Sequence, residues 1–504
     1  MLEKIYTFLN KYDKYLYTSL TLLYLLPIFL SSHFYTVDGP SHLYNSLIIN
    51  NILIKDEFWS TIFKLNPIIN PNWIGHLFLS SFLFLFSPTV SEKLLNILYV
   101  IGLSHSFYYC LKNLHSNNFI SKYFIFSLIY SFLYLFGFYN FQIGIIILLY
   151  IIGFYNIKKT YLSNKDIIII TLLCTISFFS HLFIIAIIIG YLLFDQLFFT
   201  INKNYYIITG SFVFILFIGY YLISGPSTAT TAKPNFYSFN ELVKNLYGLY
   251  PSRGLEYAKA GIFTKWIIGS YLLLLFTSFF NTQNNFKKNP WFWISIISLL
   301  FYFVLPHSYG EAIGFISERI NYLFLFFLAT FLSTLIIRKD IEIIIFLILL
   351  YMNVSLMLLT DKSNKKINLE FTKIEDVTKI IPLNSTLLPL SFKEDSRFDH
   401  ISNYIGINKE SIILENYEAS LGHFPLVWNS EKLPNYSLLS NKDSVCFEWP
   451  RNTKNRHEQI SYVLILLENK NQTIPNCIKK QLEENYFLDH KSSNDLIQLY
   501  KVMK

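Results

Sequence analysis

The chain has 504 residues, of which 53% are hydrophobic, 18% are aromatic and only 15% are charged. Soluble domains average about 25% charged residues, so this composition excludes an ordinary soluble globule. The net charge of +8 is modest, and lysines collect in short loops between apolar runs, a pattern typical of membrane topology rather than of nucleic-acid binding.

Apolar runs long enough to cross a bilayer recur along the first two thirds of the chain. We predict a first span at 16–34, kinked at Pro27, after a lysine-bearing cytoplasmic start. Segment 166–199 is too long for one span and is predicted to break near Ser180 and His181. The other predicted spans are at about 73–87, 93–111, 122–137, 141–157, 205–224, 266–280, 291–305, 319–336 and 341–359. We therefore predict an α-helical polytopic membrane protein with about 11–13 transmembrane helices.

Basic clusters at 158–165, 203, 287–288 and 338–339 all fall on one side, which the positive-inside rule makes cytoplasmic. The transmembrane domain, 1–360, then has outer loops at 35–72, 225–264 and 306–318. If the N-terminus is cytoplasmic, the predicted spans before residue 158 place that residue on the outer side. This conflicts with the cytoplasmic side that its basic cluster indicates. One run between 73 and 157 is then re-entrant or wrongly divided, and 122–157 is the suspect because Gly137–Asn140 interrupts its apolar pattern. The alternative is that the N-terminus lies outside.

The character of the chain changes after residue 360. STLLPLSF, SYVLILLEN and LIQLYKVM are predicted strands, and DHISNYIGI is a predicted short helix. Residues 361–504 are thus expected to form a small α/β domain outside the cytoplasm. Cys446 and Cys477 lie in this region, and an oxidising compartment would permit them to pair.

The stretch FYTVDGPSHLYNSLIINNILI, 34–54, follows the first span and contains Asp38. Pro40 suits the first turn of a helix, whose apolar stripe would include Leu43, Leu47 and Ile54. We expect an amphipathic helix in the membrane interface, with Asp38 held at the surface as a general base and His42 assisting it. The alternatives are that Asp38 only caps the helix and that His42 only contacts headgroups or water.

Further candidates lie in later loops and span ends. Arg319, with Glu318, opens an apolar run and suits a lipid-linked phosphate. The alternatives are that Arg319 pairs with Glu318 or Glu311, or that its side chain extends to the membrane surface. His76 and His181 are substrate-site candidates, and a purely structural histidine is the alternative for His181. Loop 225–264 supplies Lys244 and Arg253 to a lid or sugar-stacking surface, or is simply solvated.

No metal site is predicted, because the histidines lack a spacing such as H-x-x-x-H, but a divalent metal cofactor is left open. Phosphate-loop, nucleophile-elbow and HExxH motifs do not occur in the sequence, so ATPase, esterase and zincin functions lack support.

The chain resembles the GT-C superfamily of polytopic glycosyltransferases in four features. These are VDGPSHLYNSLI after the first span, INPNWIGHLFLS where the chain re-enters the membrane, ERINYLF at a late outer loop, and a polar C-terminal domain. This superfamily includes protein O-mannosyltransferases and aminoarabinose transferases. The resemblance implies a polyprenyl-phosphate-linked sugar donor, inverting transfer on the outer membrane face, Asp38 as the catalytic acidic residue and Arg319 as a phosphate contact. Many members carry an acidic pair in this loop, whereas Gly39 follows Asp38 here.

DGPSH together with ENYEASLGHFPLVW, at 415–428, also resembles bacterial membrane proteins of unassigned activity. The expected location is the bacterial inner membrane. The expected partners are membrane lipid, the lipid-linked sugar donor and an acceptor glycan, lipid or protein, with no nucleic acid. A transporter or flippase of lipid-linked saccharides and a non-catalytic membrane assembly protein remain alternative functions.

Overall fold

The structure is a computed structural model that describes residues 2–68, 70–200, 203–224, 233–255, 257–310, 314–429 and 460–503. The described chain is mostly helical. Its helices are α1 Leu2–Leu23, α2 Leu26–Leu30, α3 Gly39–Leu53, α4 Glu57–Ile62, α5 Ile74–Leu83, α6 Pro88–Asn113, α7 Phe126–Ile129, α8 Phe132–Phe136, α9 Tyr139–Lys158, α10 Asn164–Ser180, α11 Leu182–Phe198, α12 Tyr205–Ser224, α13 Phe239–Tyr247, α14 Tyr257–Phe279, α15 Pro290–Val304, α16 Ile316–Ser333, α17 Lys339–Thr378, α18 Asn403–Lys409, α19 Tyr417–Leu421 and α20 Asn476–Asn485.

Strands are short and concentrate near the C-terminus. They are β1 Phe63–Leu65, β2 Pro234–Asn235, β3 Ser308–Tyr309, β4 Thr386–Phe392, β5 Ile412–Ile413, β6 Leu426–Trp428, β7 Tyr462–Leu467, β8 Tyr486–Lys491 and β9 Ile497–Val502. Short 3-10 helices cover Ser121–Ile125, Tyr250–Arg253, Phe286–Lys288 and Ser396–Phe398.

Within the described residues, five helical segments are long and apolar enough to cross a membrane. They are Pro88–Asn113, Tyr139–Lys158, Lys259–Phe279, Ile316–Ser333 and Lys339–Thr378. Five further apolar helical segments have 10–17 residues. The membrane character that we predicted therefore has support, and a total of 11–13 spans stays a prediction.

The first compact unit comprises Met1–Leu30 and Asn96–Ser363. The predicted break at the Ser180–His181 pair is confirmed, because α10 ends at Ser180 and α11 begins at Leu182. His181 has extended backbone, and its Nδ1 accepts from Phe183 N at 3.1 Å, which caps α11. The run 122–137 is not one helix but several short pieces, the last of which ends at Gly137 with a φ of 105°. That left-handed conformation favours glycine.

The second compact unit comprises Ser31–Leu95 and Asn364–Lys504. Its five-stranded sheet has the order β5-β4-β7-β9-β8, in which β4 lies parallel to β5 and β7, while β9 is antiparallel to β7 and β8. All three predicted strands, β4, β7 and β9, are confirmed. The predicted outer loop 35–72 belongs to the same unit as the C-terminal sheet, an association that the sequence did not reveal.

The charged segment after residue 360 continues α17 as far as Thr378, and from Asn364 onward it belongs to the second unit. One expectation about local structure is wrong. Helix α3 is not amphipathic in an interface: its polar His42, Asn45 and Asn50 are as buried as Leu43, while Ile54 just beyond its end is exposed. Protein covers its polar faces and supplies hydrogen-bond partners, so the polar side chains do not mark a solvent side.

Candidate functional site

Asp38 stands at the N-terminus of α3, where Pro40 occupies the first turn as predicted. Its carboxylate does not cap the helix. The side chain is only 9% exposed and turns toward the C-terminal part of the second unit. The capping role, which was the simplest alternative for this residue, is therefore not the one that the structure shows.

Asp38, His400, Tyr417 and Glu415 form what we call the Asp38 cluster, in which His400 and Tyr417 contact the Asp38 carboxylate. His400 Nε2 lies 3.6 Å from Asp38 Oδ1, and the Tyr417 hydroxyl donates to the Asp38 carboxylate. His400 Nδ1 in turn contacts Glu415 Oε1. The His400 and Tyr417 rings pack with centroids 4.5 Å apart, so both partners of Asp38 brace each other.

The electrostatics of the Asp38 cluster favour proton exchange near neutral pH. Burial raises the pKa of Asp38 to about 6, against the opposing charges of His400 and His42. Burial would lower the pKa of His400, but the adjacent Glu415 and Asp38 carboxylates outweigh it and raise that pKa to about 9. At neutral pH the site thus holds a protonated imidazole beside a carboxylate that can accept a proton.

A second group, the two-histidine cluster, consists of His42, His76 and Glu418. Glu418 Oε1 lies 2.7 Å from His42 Nδ1, and Glu418 Oε2 lies 2.8 Å from His76 Nε2. The Glu418 side chain is fully buried, and both histidines are at most 5% exposed. Burial would raise the pKa of Glu418, but the two histidines outweigh it and hold the pKa well below its usual range.

The donor atoms of the two-histidine cluster lie within 4.8 Å of one another. Two imidazole nitrogens and one carboxylate oxygen are ligand types that suit a divalent transition metal. The sequence did not predict a metal site here, because 34 positions separate His42 from His76 and the carboxylate follows only at position 418. Helices α3 and α5 bring the histidines together with α19 inside the second unit.

The proline-rich stretch before α5 fixes the segment that contains Glu418. Asn66 Nδ2 donates to Gly422 O at 2.7 Å and to Phe424 O at 2.9 Å. Strands β1 and β6 pair antiparallel, and the rings of Phe63 and Trp428 stack with centroids 4.4 Å apart. Residues 63–66 and residues 422–428 therefore form one local structure.

The other predicted site residues lie in the first unit. Arg319 donates from Nη1 to Gly314 O at 2.9 Å and stacks on Phe138, its guanidinium carbon 4.9 Å from the ring centroid. It does not ion-pair with Glu318, which instead accepts from the Tyr237 hydroxyl at 2.9 Å and contacts His307. The ring of His181 meets Phe141, on which Arg319 also stacks.

The predicted lid residues contribute less. Lys244 is exposed in the last turn of α13. Arg253 ends a 3-10 helix, and its side chain, like Glu311 and Cys446, lies outside the described residues. Cys477 is disulfide-bonded, while Cys110 and Cys174 are free.

Sequence reasoning missed Glu418, His400 and Tyr417 as site residues. The sequence did contain a signal for Glu418 and Tyr417. Both lie in ENYEASLGHFPLVW, where two glutamates flank a tyrosine in a stretch with no strand or helix periodicity. His400 gave no such signal, because DHISNYIGI matches an ordinary short helix.

The fold and these clusters define a mostly helical protein of membrane-spanning composition with a buried carboxylate–histidine site. A search against protein-family models finds no match to the chain, and a search of curated proteins finds none either.

Proposed function

We propose that this protein is an integral membrane glycosyltransferase that moves a sugar from a polyprenyl-phosphate-linked donor to an acceptor at the outer membrane face. One observation carries the proposal: the carboxylate of Asp38, at the start of the first loop helix, leaves its helix uncapped and is held by Tyr417 and His400 instead. A carboxylate in such surroundings is available to act as a general base.

In the proposed reaction the acceptor hydroxyl attacks the anomeric carbon of the donor sugar. The new carbon–oxygen bond forms while the bond from that carbon to the phosphate oxygen breaks. The polyprenyl phosphate leaves with the bonding electrons, and the acceptor proton passes to Asp38. His400 and Tyr417 orient the carboxylate, so they are positioning residues. The 9% exposure of the Asp38 side chain leaves a narrow approach for an acceptor.

Two features support a membrane location with the C-terminal unit outside. The described chain has five helical segments that are compatible with insertion into a bilayer. Cys477 is disulfide-bonded, and disulfides persist chiefly in extracytoplasmic compartments. The inner membrane and an extracytoplasmic C-terminal unit therefore form part of the proposal.

Arg319 remains our candidate for a contact with the donor phosphate. Its guanidinium is buried against aromatic rings, and its Nε has no hydrogen-bond partner among the residues that the structure describes. A buried guanidinium nitrogen without a hydrogen-bond partner can donate to a phosphate oxygen.

The decisive experiment compares wild type with Asp38→Asn in lipid vesicles supplied with extracted polyprenyl-phosphate sugars. We expect wild type to release polyprenyl phosphate and Asp38→Asn to lose activity by about 100-fold or more, because the amide cannot accept the proton. Equal release by both proteins would remove Asp38 from the reaction. Donor binding by wild type without release would favour a transporter.

Asp56→Asn is the matched control. Asp56 lies in the same loop, but its side chain caps α4 by accepting from Trp59 N at 3.2 Å, a role that asparagine also fills. This variant should release polyprenyl phosphate at the wild-type rate.

A further inference from the structure

The two-histidine cluster lies beside the Asp38 cluster but has no part in the proposed proton transfer. It buries a glutamate completely, with an imidazole nitrogen 2.7–2.8 Å from each of its oxygens. Burying an ionised carboxylate is costly unless positive charge compensates it. A protonated histidine could supply that charge, and so could a cation bound between the three side chains.

The positions of the donor atoms suit a cation. A tetrahedral Zn²⁺ ion with bonds of about 2.1 Å places its ligand atoms about 3.4 Å apart. The contacts of Glu418 with the two histidines, 2.7 Å and 2.8 Å, are somewhat shorter than this, and every pair among the donor atoms lies within 4.8 Å. Shifts of less than about 1 Å in the side chains would bring these atoms to coordination distance.

Hydrogen bonds around Glu418 also match those expected around a metal ligand. Asn45 Nδ2 donates to Glu418 Oε2 at 2.7 Å, which orients the carboxylate and leaves Oε1 for an ion. Asn45 is itself fixed by a reciprocal amide pair with Asn416, at 2.6 Å and 3.1 Å. The ring of Phe424 flanks both histidines, at centroid distances of 6.3 Å and 6.0 Å. Metal sites commonly combine such oriented carboxylates with an apolar wall.

We propose that His42 Nδ1, His76 Nε2 and Glu418 bind one divalent transition-metal ion, for which Zn²⁺ is the best match. Two imidazoles and a carboxylate are a known zinc ligand set, whereas Mg²⁺ and Ca²⁺ prefer oxygen ligands. The ion joins α3, α5 and α19 of the second unit. Three protein ligands leave one tetrahedral position for water or another ligand.

The test measures metal on the full-length protein, purified in detergent from cells grown with zinc, by elemental analysis. We expect about one zinc ion per chain in wild type and a loss of about tenfold or more in His76→Gln and Glu418→Gln. His33→Gln is the matched control, because His33 also contacts a buried glutamate, Glu92 at 3.3 Å, but no second histidine among the described residues pairs with that carboxylate. It should keep its zinc.

A second measurement covers the case in which a variant does not fold. Wild type stripped with a chelator should bind Co²⁺ with the visible absorption of a tetrahedral site, and added Zn²⁺ should abolish that absorption. Stripped wild type that binds neither ion would overturn the proposal, as would His76→Gln protein that folds and retains wild-type zinc. Neither readout needs a sugar donor, so a failed transferase assay leaves this result unaffected, and the reverse also holds.

Discussion

At the scale of single residues, His400 makes the stability of the second unit depend on pH. Its pKa is raised from 6.5 to about 9 because the Glu415 and Asp38 carboxylates outweigh the effect of burial. The folded state therefore binds the proton more tightly than the unfolded state. The resulting stabilisation is complete below about pH 6.5 and is lost as the pH rises through about 9.

We accordingly expect the melting temperature of the protein in detergent to fall as the pH is raised from 6.5 to 9. The fall should be shallower in His400→Gln, which cannot lose this proton. His490→Gln, which removes an exposed histidine of β8, should retain the wild-type slope. A wild-type slope in His400→Gln would contradict the charge assignment of the Asp38 cluster.

At the scale of elements, the packing of α18 on α3 depends on Gly406. A Cβ at this position would lie 2.6 Å from Ile413 Cγ1 and 2.7 Å from a ring carbon of Tyr44. The Tyr44 ring cannot easily retreat, because its hydroxyl donates to Ser411 O at 2.8 Å and accepts from Ile413 N. The close approach of the two helices therefore requires glycine.

Gly406→Ala should destabilise the protein by about 1–3 kcal/mol, the usual cost of overpacking. The measurement is the thermal unfolding midpoint of the purified variant. Gly190→Ala is the comparison, since a Cβ at that exposed position of α11 meets nothing within 4 Å and alanine favours a helix by up to about 1 kcal/mol. An unchanged midpoint in Gly406→Ala would show that α18 can move away from α3.

Sequence patterns predicted elements whose signal is local. The strand-like patterns of STLLPLSF and SYVLILLEN predicted β4 and β7, and the excessive length of 166–199 predicted the break between α10 and α11. The burial of α3 could not be predicted in this way. Its polar residues find partners far along the chain, as Asn45 does with Glu418, 373 positions away. Periodicity reports the local pattern of side chains and carries no information about such distant partners.

The same reason limited the prediction of the site. Asp38 stood out locally because it directly precedes Gly39-Pro40 after a long apolar run. His42 and His76 were singled out separately, but only the fold brings Glu418 between them. The metal proposal therefore depends entirely on tertiary structure.

At the scale of the whole molecule, the proposed orientation can be tested by cysteine labelling. Lys470 is exposed in the turn after β7, and Lys288 is exposed just before α15. A membrane-impermeant maleimide should label Lys470→Cys in intact spheroplasts, and Lys288→Cys only after permeabilisation. The native cysteines Cys110 and Cys174 are buried and give little background. The opposite labelling pattern would place the second unit in the cytoplasm.

The discontinuity of the two-histidine cluster also has a consequence for biosynthesis. His76 and Glu418 are 342 positions apart. A ribosome adding about 5–20 residues per second needs roughly 20–70 s to proceed from one to the other. Throughout that interval the nascent chain holds the polar side chains of α3 and α5 without the carboxylate that later lies between the histidines. The two-histidine cluster can therefore be completed only after residue 418 has been added, and a chain released before that point would keep these helices without their final partner.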